Sequence, residues 1–186
     1  MKKAIAIIFG MLSVFAFVLS ANADLDSNAK AHVWVDVVPN VAVGVLSSSV
    51  DIGDVQTGNF SATIMFRVDA NMEDVNLQPV ASMLYKGDDP TNQDVAPIPL
   101  NTGAGVLIQP TNANPTAGAS NIARALEPAN IDGFEGFRFD QINFESSQNG
   151  HFSQDVAITV TWLQDDPEKP QGEYSGYVQL FCLLTP

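Results

Sequence analysis

Four scarcities bound this chain of 186 residues before any motif is weighed. It has a single cysteine, Cys182, so no internal disulfide can form and the fold has to hold by its core. Basic residues are rare: eight Lys and Arg stand against 21 Asp and Glu, a net charge of −13. Such a field repels nucleic acid and anionic membranes, and no nucleic-acid partner is expected. Long apolar runs are missing too. The best of them, Ala4 to Leu19, falls short of the roughly 20 residues a membrane-spanning helix needs. An integral membrane protein is therefore not expected. Histidine is limited to His32 and His151, which lie in different kinds of segment with no partner nearby in sequence.

These scarcities leave catalysis little to stand on. There is no Gly-x-Ser-x-Gly elbow and no His-Glu-x-x-His pair. Gly103-Ala-Gly105 lacks the strand–turn–helix setting of a phosphate loop. The pairs Asp88-Asp89 and Asp165-Asp166 lack the graded oxygen spacing of a calcium loop, and each precedes a proline, as turns do. No spacing singles out a carboxylate pair for glycoside hydrolysis. No enzyme activity, metal or cofactor is expected. A secreted hydrolase with its carboxylates in loops is a weaker third reading.

What is present starts at the amino end. Lys2 and Lys3, the apolar run, and the small-x-small site Ala21-Asn22-Ala23 predict a secretory signal peptide over residues 1–23, cleaved before Asp24. Cleavage would leave 163 residues (186 less 23), enough for one domain with a sizeable core. Losing Lys2 and Lys3 leaves six basic against 21 acidic residues, so the net charge becomes −15. An exported product is expected.

Period-two alternation dominates the rest, and helical periodicity is nearly absent. In Phe60–Asp69, Phe60, Ala62, Ile64, Phe66 and Val68 share one face. Val156, Ile158, Val160 and Trp162 share another, so Trp162 is expected in the core. A weaker run spans Val75 to Leu84, and an aromatic-rich one spans Phe134 to Phe144. Two short apolar pieces, Val95 to Leu100 and Val106 to Ile108, precede a polar stretch. Asn121 to Leu126 is expected to form a single helical turn stopped by Pro128. About seven turn-punctuated strands predict an all-β sandwich.

The two ends carry the most specific signal. Tyr177 to Leu184 alternates, with Val178, Leu180, Cys182 and Leu184 on one face. Cys182 reads there as a small buried hydrophobe, with an intermolecular disulfide or a reactive thiol as the other reading. Near the start, Val33, Val35 and Val37 share a face, and Trp34 lies opposite them, exposed or packed at a junction between subunits. A sandwich with an unfilled edge exposes backbone donors and acceptors over an apolar cleft, and takes a strand from a partner. Three valines inserted into such a cleft contribute roughly 5–9 kcal/mol of apolar transfer, at about 1.5–3 each. The other reading makes residues 31–38 an ordinary first strand of their own domain. Periodicity leaves both open.

The terminal residues bring in a resemblance. The segment Ala31-His-Val33-Trp-Val35-Asp-Val37-Val-Pro39-Asn-Val41-Ala-Val43, with Gly172, Tyr174, Gly176, Val178 and Leu180 near the other end, resembles chaperone–usher pilus subunits of the class 5 (alpha) colonisation-factor type. The resemblance implies an immunoglobulin-like sandwich over residues 39–186, incomplete until a donor strand from residues 24–38 of another copy or a related subunit fills it. It also implies a periplasmic chaperone that holds the carboxylate of Pro186, an outer-membrane usher, and a place in a cell-surface fimbria that contributes to adhesion. The alternative function is a secreted monomeric sandwich that binds a surface glycan or other ligand.

Overall fold

The computed structural model describes residues 31–92, 94–115 and 121–184. The chain divides into two units, Met1–Val37 and Val38–Pro186. In the first unit, residues 31–37 carry no strand and are exposed. The alternation over Val33–Val37 therefore does not make a first strand here, because the segment has no ladder partner among the described residues. The His32 and Trp34 rings lie 5.3 Å apart, on one side of the segment.

The second unit is all-β, with no helix among the described residues. Its strands are β1 (Val41–Val45), β2 (Gly58–Ala70), β3 (Asp74–Ser82), β4 (Tyr85–Lys86), β5 (Val106–Pro110), β6 (Ala113–Pro115) and β7 (Ile122–Ala123). They continue with β8 (Ala125–Ile131), β9 (Phe134–Phe139), β10 (Ile142–Ser146), β11 (Phe152–Gln164), β12 (Tyr174–Ser175) and β13 (Val178–Leu184). One sheet runs β1-β2-β11-β5-β7. In the other, β3 is central: β13 flanks one side, while β10 and β9 share the other side end to end. β6 and β8 lie outside β10 and β9, and β4 pairs with β12 as a separate ribbon. Every pairing is antiparallel, and one core cluster draws from both sheets, an arrangement consistent with a β-sandwich.

The alternation explains the core. β2 and β11 pair over their full length, from Gly58↔Gln164 to Ala70↔Phe152. Every second residue of β11 is buried, including Val156, Ile158, Val160 and Trp162. Phe66 and Val68 of β2 face them from the same sheet; Val75, Leu77, Phe139 and Phe144 come from the other. Most buried polar groups are paired, as burial demands; Arg138 Nε is buried without a partner among the described residues. The Trp162 indole N–H donates to the Ser82 carbonyl (2.9 Å), tying β11 to the end of β3. Gln154 donates to Ser146 Oγ and the Asn112 carbonyl, and accepts from the Asn112 N–H. On the outward face, hydroxyl pairs Ser61–Thr161 and Thr63–Thr159 (both 2.8 Å) cross the ladder. Arg67 there binds Asp69 and Asp155.

Two expectations need correction. Asn121–Leu126 makes no helical turn: Ile122 and Ala123 pair with β5, and Ala125 opens β8. Pro128 sits in β8, opposite Phe137, where the missing N–H is tolerated because β9 is its one neighbour among the described residues. The strands also outnumber the seven expected. Phe134–Ser146 is broken at Asp140–Gln141, and β4, β6, β7 and β12 are two or three residues long, too short for a period to register.

Gly136 marks a tight crossing, since a Cβ there would overlap the Ala81 carbonyl oxygen. Phe152→Ala, at a fully buried position, should cost about 3–5 kcal/mol in urea unfolding, while Leu126→Ala on exposed β8 should change stability by less than about 0.5.

Candidate functional site

The described residues offer no cluster of three or more metal-ligating side chains. Asp89 accepts from the backbone and hydroxyl of Thr91, and Asp166 accepts from the Glu168 N–H, so both acidic pairs take part in turns. Those bonds hold the Asp89 carboxyl below its ordinary range. A cavity of about 480 Å³ lies beside β8 and β9, lined by Met83, Pro128 and Glu135 among others; Glu135 is its one ionisable side chain.

The distinctive surface is instead a pair of open strand edges. β1 covers β2 only from Phe66 to Ala70, and its ladder ends where the Leu46 N–H meets the Met65 carbonyl. From Gly58 to Ile64, β2 is paired on its β11 side alone among the described residues. In the other sheet, β13 is paired with β3 from Val178↔Ala81 to Leu184↔Val75, and its outer edge has no partner among the described residues. Cα atoms of β13 come within 8 Å of both β1 and β2, so these edges border one another across the two sheets.

Burial falls off at the same place. Among the described residues, ten hydrophobic side chains pack on the core while staying partly exposed, and five of them, Val41, Phe60, Ile64, Val178 and Cys182, belong to β1, β2 and β13. Val43 and Val45 of β1 are exposed, as are Phe181 and Leu183 of β13. An edge with apolar side chains and free backbone groups is a template for strand addition.

The residues singled out from sequence take distinct places. Leu180 is buried and Val178 half-buried, facing the core as the alternation requires. Cys182 shares that face but is only half-buried; burial still pushes its thiol up to about 11. Tyr174 packs on the core and its hydroxyl donates to the Pro170 carbonyl (2.9 Å). Gly176 has a steric reason: a Cβ would lie 2.5 Å from both the Met83 carbonyl oxygen and Ser82 Oγ. That close approach lets the Tyr177 N–H donate to Ser82 Oγ (2.8 Å) and sets β13 against β3. Trp162 is in the core, as expected, and Trp34 is exposed. Val33, Val35 and Val37 are exposed as well. Ala21, Ala23, Asp24 and Pro186 lie outside the described residues.

One contributor escaped sequence reasoning. Asn71, in the β2–β3 turn, clasps the chain just before β1. Its side chain accepts from the Asn40 N–H (2.6 Å) and donates to the Val38 carbonyl (3.0 Å), while its own N–H donates to the Asn40 carbonyl (3.2 Å). The clasp fixes Val38 and Asn40 at the entry to β1. A lone turn asparagine carries no periodic signal, so only the fold reveals it.

No protein-family model matches the chain, and neither does any curated protein or solved structure. Among the described residues no helix is long and apolar enough to cross a membrane.

Asn71→Ala removes two of the three clasp bonds and should speed amide exchange at residues 40–43 roughly tenfold, read by mass spectrometry. Cys182 is protonated in both folded and unfolded chains at low pH, and its raised folded value delays thiolate formation. At pH 8 its labelling by a disulfide reagent should be on the order of a hundredfold slower than in the unfolded chain, with the gap closing above pH 10.

Proposed function

We propose that this protein is a structural subunit of a bacterial surface fimbria, assembled by strand addition between copies. Residues 31–38 of one copy enter the open edge between β1 and β13 of the next. The acceptor is then an incomplete immunoglobulin-like sandwich, and the incoming segment is its missing strand. One observation carries this reading: a domain with two unpaired, bordering edges belongs to a chain whose own N-terminal segment presents exposed Val33, Val35 and Val37 at strand spacing. Period-two valines suit a strand with one face in a core. Backbone ladder bonds supply the remaining affinity.

A contact of this kind joins different surfaces of successive copies, so it propagates and does not close. The resemblance at the chain ends supplies the setting: export through the signal peptide, a periplasmic chaperone that covers the edge, an outer-membrane usher, and a role in adhesion. The acidic surface suits an exported, soluble subunit. The exposed Trp34 ring favours the second reading, a monomeric sandwich that stacks a surface glycan.

The full-length chain carrying Val35→Asp has a disabled segment and an intact acceptor edge. Adding a synthetic peptide of residues 31–38 at a hundredfold excess over its dissociation constant should stabilise that chain by about 2.7 kcal/mol, raising its unfolding temperature by several degrees. A peptide that itself carries Val35→Asp should have no effect. An unfolding temperature indifferent to the wild-type peptide, with a wild-type chain that stays monomeric, would overturn the fimbrial reading and leave glycan binding to be screened.

A further inference from the structure

The strand-addition reading uses one face of each partner, and both partners have an apolar second face. Val178, Leu180 and Cys182 point to the core, so Gln179, Phe181 and Leu183 point outward, with Tyr177 just before them on the same side. Phe181 and Leu183 are each 36% exposed and Tyr177 is 42% exposed. Tyr177 stacks edge-on against Phe134 (centroids 4.8 Å apart), which in turn meets Tyr85, so its ring is held in place. A solvent-facing edge strand would ordinarily carry charge here, as protection against unwanted pairing. From Ser175 to Pro186 there is no charged residue, in a chain with 21 acidic ones.

The N-terminal segment has the complementary composition. When Val33, Val35 and Val37 face a core, His32, Trp34 and Asp36 take the opposite face. Trp34 is 74% exposed, and its ring lies beside His32. In either strand direction, residues directly opposite one another in a ladder share a face. A segment whose valines are in register with Val178, Leu180 and Cys182 therefore sets Trp34 opposite Tyr177, Gln179, Phe181 or Leu183. Three of those four are apolar or aromatic. Charge selects the same pairing. Two strongly acidic copies repel over most of their surfaces, while β13 is free of Asp and Glu and the inserted segment 31–38 carries a single one, Asp36.

Resting on the strand-addition reading, we infer that Trp34 of a second copy of this chain is a further anchor of the contact, packed on the outer face of β13 against Phe181 and Leu183. The inserted strand is thereby gripped on both faces, with valines inward and an aromatic clamp outward. Trp34 would sit at the junction between copies and be withdrawn from water there.

A double-mutant cycle tests this with the full-length Val35→Asp chain as acceptor and the peptide of residues 31–38 as donor, binding followed by titration calorimetry. Trp34→Ala in the peptide should weaken binding roughly tenfold to a hundredfold. The loss should shrink to within about twofold when the acceptor also carries Phe181→Ala and Leu183→Ala, because the ring then has nothing to pack against. The emission of Trp34, taken against a Trp34→Phe peptide, should shift to the blue on binding. A Trp34→Ala peptide that binds as tightly as the wild type, or a ring whose emission stays that of a solvated indole, overturns the clamp and leaves strand addition standing. Failure of the wild-type peptide to bind at all overturns both. Because the first substitution is in the peptide, acceptor misfolding cannot mimic its effect.

Discussion

The fold depends on the β2–β11 ladder. Thirteen consecutive residue pairs run from Gly58↔Gln164 to Ala70↔Phe152 without a register shift, so the inward apolar side chains of both strands reach the same core. A slip of one residue would turn all of those side chains to solvent. With the register set, Trp162 comes to the height at which its indole reaches Ser82 at the end of β3. Ser82 then receives the Tyr177 N–H on its hydroxyl, and β13 is thereby placed along β3. One chain of contacts thus runs from the central ladder to the strand with the open edge.

That edge is where ordinary protection fails. The far edge of the second sheet, β8, carries Pro128 and an irregular register between Ala125 and Glu127, both of which discourage further pairing. β13 has neither proline, bulge nor charge within Val178–Leu184, and β1 stops at Val45, leaving half of β2 uncovered. The contrast between the two edges of one sheet is a physical reason to look for a partner at β13. The Asn71 clasp complements it by fixing where the chain enters β1.

Long alternating strands were legible because two-fold side-chain periodicity and burial on one face coincide over many residues. Phe60–Val68 and Val156–Trp162 fall in β2 and β11 with the faces expected of them. Short strands were not legible: β7 holds two residues, and its neighbourhood carries a local pattern of a helical turn that the pairing with β5 overrides. At the candidate site, the inward set Val178, Leu180 and Cys182 was readable, whereas the outward exposure of Phe181 and Leu183 depends on which neighbour β13 lacks. Asn71 was invisible because its three bonds span some thirty residues of sequence.

By itself the sequence determined an all-β chain without an internal disulfide, two strongly alternating strands for its core, an acidic surface, and apolar period-two segments toward both ends. Those follow from composition and local periodicity, which need no knowledge of neighbours. Only the tertiary structure decided which edges remain open, that β1 and β13 border one another across the two sheets, and that Gly176 is required by the approach of Met83 and Ser82. Pairing is non-local: whether a strand has one neighbour or two depends on residues a hundred positions away, and no local pattern encodes that.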